Sequence, residues 1–133
     1  MTGKAIISLF ESKTAITDLI GSGASMRLTP KVMPQNSSNW PVMTYNMQNV
    51  IPVNDGSGKS DFEFRSVDFF AYAKIQDDAE DLINTVREEL EDERGTWGGV
   101  EVNHILYMTD STDYLEDLEL HTHQLELQFN YRR

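Results

Sequence analysis

Apolar residues recur along this chain in two rhythms, and between residues 62 and 90 (FEFRSVDFFAYAKIQDDAEDLINTVREEL) one follows directly on the other. Val67, Phe69, Ala71, Ala73 and Ile75 alternate, as on a strand with one face against a core. Phe70 and Tyr72 make the other face of that strand partly apolar as well. Ala79, Leu82, Ile83, Val86 and Leu90 then fall three and four residues apart, the stripe of an amphipathic helix. Asp77 with Glu80 three residues on reads as a capping box, and Gly95 as the C-terminal stop. A strand that feeds a helix folding back over it makes a two-layer unit, the expected centre of the core.

The same rhythms organise the rest. Ile6, Leu9, Phe10, Lys13, Ile16, Leu19 and Ile20 predict one helix over residues 3–20, ended by Gly21-Ser22-Gly23. A short extended piece follows over 26–32, then an alternating strand over 41–50. The glycine-containing stretch 52–60 reads as a long, projecting hairpin loop. Phe62 and Phe64 are even-numbered whereas the apolar set from Val67 is odd, so a bulge is expected near Arg65–Ser66. Trp97-Gly98-Gly99 makes a turn, and Val100, Val102, Leu106 and Met108 mark a fourth strand. Residues 109–117 (TDSTDYLED) read as a polar, mobile loop, and 118–131 as a last strand with Leu125, Leu127, Phe129 and Tyr131 on one face. The fold class is α+β: an antiparallel sheet of about four strands covered by two helices, in the order α-β-β-β-α-β-β.

Composition narrows the function classes. The 133 residues suit one domain, 1–133, with a core of its own. The formal charge of −11 and the single adjacent basic pair, Arg132–Arg133, argue against binding along a nucleic-acid backbone. Solubility alone is an adequate reason for such acidity. The absence of cysteine excludes disulfides and thiolate metal sites. The apolar run at the N-terminus is too short for a signal peptide or a membrane span.

Candidate chemistry is sparse. Asp55–Ser60 (DGSGKS) ends like a phosphate-binding loop, but Val53 stands where the first glycine belongs, and a strand rather than a helix follows. His121 and His123 share a strand face, and His104 could join them on a neighbouring strand to form a zinc site. A satisfied, half-buried sheet histidine is the commoner outcome, and the reading is no metal and no cofactor. No catalytic motif is present, so the chain reads as a non-enzyme with no small-molecule substrate.

Four stretches carry a resemblance. The first helix ends in LIGSG, a proline-containing piece follows (RLTPKVMPQ), WPVMTYNM opens a strand, and VDFFAYAKIQDDAEDLINTVREEL runs from a strand with Asp68-x-x-Ala71 into an acid-rich helix. In this the chain resembles the tail-completion, or tail-terminator, family of long-tailed bacteriophages and related prophage elements. Its acidity and the acidic 109–117 stretch depart from the family pattern. The resemblance implies a structural virion protein at the tail-neck junction, assembled in the host cytoplasm. Such proteins form a ring, commonly a hexamer, that caps the head-proximal end of the tail tube. The implied partners are other copies of the chain, the tail tube protein and the head connector or head-closure protein. DNA passes through without specific binding. Another neck protein of the same virion, or a small ligand- or metal-binding module, is the alternative. Asn54, Asp55, Lys59, Phe70, Tyr72 and Tyr114 are the candidate interface residues. Six copies at −11 would total about −66, and Asp55, Asp110 and Asp113 are the candidate acids lining the channel.

Overall fold

A computed structural model describes residues 1–32, 39–54 and 59–132, the side chains of 52–54 and 59–61 excepted. The expected first helix is two. Thr2 caps α1 (Gly3–Glu11) by accepting the amide of Ala5 at 3.2 Å. At its end the Ser12 hydroxyl donates to the Leu9 carbonyl at 2.6 Å and the Lys13 amide to Phe10 at 3.1 Å, which tightens the last turn and stops the helix. α2 (Thr14–Ile20) then starts afresh. Lys13 therefore leaves the apolar stripe; its ammonium lies 2.8 Å from the Glu93 carboxylate. Arg27 ties down the end of α2 by donating to the Leu19 carbonyl at 2.6 Å and to that of Pro41 at 2.9 Å.

The described strands form one sheet in the order β1-β2-β3-β6-β5-β4: β1 (Leu28–Pro30), β2 (Val42–Asn54), β3 (Lys59–Ala73), β4 (Gly95–Trp97), β5 (Val100–Leu115) and β6 (Leu120–Arg132). Six strands replace the expected four, and β1 runs parallel to β2, so the sheet is not purely antiparallel. With α3 (Gln76–Leu90) between β3 and β4, the order is α-α-β-β-β-α-β-β-β.

The central unit forms largely as its pattern dictates. Val67, Phe69, Ala71 and Ala73 of β3 are fully buried, as are Leu82, Ile83, Val86 and Leu90 of α3, with Ala79 almost so. Phe10 of α1 meets Phe69 with ring centroids 5.2 Å apart. The margins differ. Ile75 does not belong to the buried strand face; it is the N-cap of α3 and 59% exposed. The capping box does not form, because no side chain caps the helix; Asp77 and Asp78 stand in its first turn, where their charge suits the helix dipole. The helix stops before Gly95: Glu91 is its C-cap, Asp92 takes the left-handed conformation (φ 64°), and Gly95 opens β4.

The expected bulge lies on the partner strand. β3 pairs with β6 without interruption from Phe62↔Arg132 to Ala73↔His121, whereas β2 gains a residue between Met47 and Val50, opposite Ser66. Phe62 and Phe64 thus keep to the face of Phe70 and Tyr72, away from the helices. The 52–60 stretch is mostly ladder, for β2 reaches Asn54 and β3 starts at Lys59, paired to each other. Any projecting loop, and Asp55 with it, lies outside the described residues. Gly98 and Gly99, both at positive φ, close the β4–β5 hairpin; a Cβ at Gly98 would stand 2.9 Å from the Ala5 backbone, so the hairpin packs on α1 through the missing side chain.

The largest departure is at 109–117. β5 continues to Leu115 and β6 begins at Leu120, so the stretch 109–115 is strand rather than loop, and 116–117 belong to the tight turn between the two. Thr109, Thr112 and Tyr114 favour extended backbone, and pairing with β6 satisfies its amides and carbonyls. Leu118 is in the turn, not in the last strand.

Candidate assembly surfaces

The sheet buries one face under the helices; among the described residues no helix lies on the other, although Val42, Thr44 and Asp68 are buried there. The register places Phe64, Phe70 and Tyr72 of β3 on that second face, each half-buried, with Ile51 beside Phe64 and 58% exposed. Leu106 on β5 is exposed on the same face, and Met108 at the β5 bulge is 46% exposed. Asp68 lies among them, one oxygen accepting from the Gln48 amide at 2.9 Å. The other Asp68 oxygen is buried without a partner among the described residues; aromatic and aliphatic side chains mixed with a few polar groups suit a surface that other protein can cover.

A second region lies where the sheet outruns α3. Asp110, Thr112 and Tyr114 of β5 pair with Leu125, His123 and His121 of β6, on the helix-side face but beyond the first turn of α3. Here polar groups bind one another. The Tyr107 hydroxyl donates to one oxygen of Asp110 at 2.8 Å, and His123 Nε2 lies 3.3 Å from the other. The Arg87 guanidinium sits 3.5 Å from the centre of the Tyr107 ring and 3.3 Å from Glu91. The Tyr107 hydroxyl, above all, holds the Asp110 carboxyl below its usual range; burial opposes this and the His123 bond assists. The same bond pushes the Tyr107 phenol up. Beside this network the tilted rings of Tyr114 and His121 meet with centroids 4.7 Å apart and line a shallow cavity of about 290 Å³ with Gln76 and Thr112.

The three histidines do not gather. His104 pairs with Asn130, on the opposite face and toward the other end of β6, and contacts Asp92 at 2.7 Å. Among the described residues no group of three His, Cys, Asp or Glu is placed to hold a metal ion.

The candidate interface residues fall into three places. Phe70 and Tyr72 are half-buried on the face away from the helices. Tyr114, 45% exposed, is on the overhang. Asn54 and Lys59 close the β2–β3 hairpin at the start of β3, whereas Asp110 and Asp113 stand level with its end. At about 3.3 Å per residue that separation is roughly 40 Å along the strand. Of these two acids Asp113 is exposed, and Asp110 is engaged by Tyr107 and His123. Pattern reading had no reason to select Arg87, Tyr107 or Leu118; Thr109, Thr112 and Tyr114 were the signal for the longer strand whose turn carries Leu118.

No protein-family model and no curated protein matches the chain. Its fold recurs in a virion. A chain of the "virion of native gene transfer agent (GTA) particle" superposes with a TM-score of 0.76 over 97% of this chain and 92% of that one, at 10% identity. A second solved structure, whose name states no function, is 14% identical, with a TM-score of 0.57 over 100% of this chain and 97% of that one. At such identities the likeness is one of fold.

Proposed function

We propose that this chain is a structural protein of a phage-like virion and, within it, the tail terminator: a ring on the head-proximal end of the tail tube that carries the joint to the head. The observation that carries the virion role is the fold match along 97% of the chain to a component of a gene transfer agent particle. The finer assignment rests on the four stretches that resemble the terminator family. The surfaces agree with an assembly role. A sheet face with no helix on it among the described residues carries half-buried Phe70 and Tyr72 and exposed Leu106, and the β5–β6 hairpin reaches past the helices as a projection. Asp110 is engaged by both Tyr107 and His123, whereas His123 Nδ1 is buried with no partner among the described residues; the pair is part of the polar network of the overhang. The partners in this reading are further copies of the chain, the tube protein and the head connector, with DNA passing through the ring.

Deleting the gene and imaging the particles tests both levels. The terminator reading expects tubes of uncontrolled length and heads without tails. Tails of normal length lying beside filled heads would move the protein to another neck position. Normal, infectious particles would remove the virion role altogether.

A further inference from the structure

Copies of a chain at −11 repel one another, so self-association needs local complementarity. Two features on opposite sides of the sheet supply it. At the β2 edge, just beyond the end of β1, lies a cavity of about 460 Å³ with Pro30, Met47 and Val50 among its walls and Lys31 and Arg65 as its cations. Arg65 is poorly satisfied: its buried Nε has no partner among the described residues, and one terminal nitrogen has only the Met47 sulfur at 3.7 Å. Glu63, the next residue on that face, already accepts from the Tyr131 hydroxyl at 2.8 Å. This is a guanidinium beside an apolar pocket, with room for a carboxylate.

The β5–β6 turn has the opposite character. Leu118 is 50% exposed at its tip, with exposed Glu116, Asp117 and Glu119 around it. The turn is fixed by the Leu118 amide donating to Leu115 at 3.2 Å and the Glu119 amide to Glu116 at 3.3 Å, with Glu119 at φ 53°. An aliphatic side chain held outward among carboxylates matches a pocket that is apolar with a cationic rim. The two cannot meet within one copy. β3 and β6 separate the edges that carry them, and from Phe129, level with Arg65, to Leu120 is roughly 30 Å along β6.

We infer that the β5–β6 tip of one copy docks in the Lys31/Arg65 cavity of the next, Leu118 against Met47 and Val50, and Asp117 or Glu119 on Arg65. The contact is head-to-tail, using a different patch on each copy, which is the kind of interface that closes into a ring or runs on as a filament. It rests on the ring reading proposed above and names the interface within it.

The chain has no cysteine, so introduced thiols are unambiguous. Glu116→Cys and Asn49→Cys both lie at exposed positions on the two surfaces and leave Leu118 and Arg65 in place. Each variant, with tags of different mass, is mixed in equal amounts and treated with a short thiol–thiol crosslinker, while native mass is read on the uncrosslinked chain. The expected product is the E116C–N49C heterodimer, several-fold above either homodimer, with that excess lost when Lys31→Glu and Arg65→Glu are added to the N49C chain. A ring-sized native mass with no heterodimer excess overturns this interface and leaves the ring standing. A monomeric mass with no excess overturns the interface and removes the support for self-assembly. A heterodimer excess from a protein whose deletion leaves particles normal keeps the interface and sinks the virion role.

Discussion

One strand contains both kinds of surface this protein makes. From Leu125 to Tyr131, the odd-numbered side chains of β6 are at most 1% exposed beneath the helices. From His121 to His123, the same face of the same strand carries imidazoles facing Asp110, Thr112 and Tyr114. The backbone geometry is common to both halves; the difference is whether α3 lies overhead. Where it does, apolar burial selects Leu125, Leu127 and Phe129. Beyond its first turn polar side chains take over, with His123 buried against Asp110 and with Thr112 and Tyr114 exposed. The core half holds the molecule together, and the overhanging half is left to meet something else.

Removing a side chain from each half should expose that difference. Phe129→Ala leaves a cavity beneath the helices and should cost about 3–5 kcal/mol of unfolding free energy, by urea denaturation. Tyr114→Ala, on the overhang and 45% exposed, should stay within about 0.5 kcal/mol. Equal losses at the two positions would erase the distinction.

The Asp110 network gives a smaller, sharper contrast. Its carboxyl titrates lower in the folded chain than the ordinary 3.8, so the ionised form favours the fold. That contribution is complete above the ordinary carboxylate range and is lost as pH falls below it toward the folded-state value. Asp110→Asn should cost about 1–2 kcal/mol at neutral pH and should flatten the acid limb of the stability profile. An Asn variant with the wild-type acid limb would mean that the bond to Tyr107 does not govern this end of the sheet.

How far the sequence could be read follows the same division. Where one face is dry, period and burial coincide, and the stripe Ala79–Leu90 and the alternation Val67–Ala73 were legible residue by residue. Local hydrogen bonds that compete with periodicity were not. The Ser12 hydroxyl breaks a helix whose apolar spacing runs on undisturbed, and Asp92 ends another before the glycine that looks like its stop. The parallel pairing of β1 with β2 depends on a long-range contact with no local signature. At 109–115 polarity suggested a loop, because strands are recognised by a buried face and this stretch has almost none. The candidate site suffered most, since the tip residue Leu118 gains its meaning only once the turn holding it is known.

The central claim is that the overhanging hairpin is a preformed element of assembly. Amide hydrogen exchange over residues 105–125, in the free chain and in purified particles, tests it most directly. The account predicts slow exchange at 109–115 already in the free protein, as expected of ladder amides, with the 116–119 turn exchanging fast until assembly protects it. Exchange at 109–115 as fast as in an unstructured peptide, or a turn equally exposed in the particle, would contradict it.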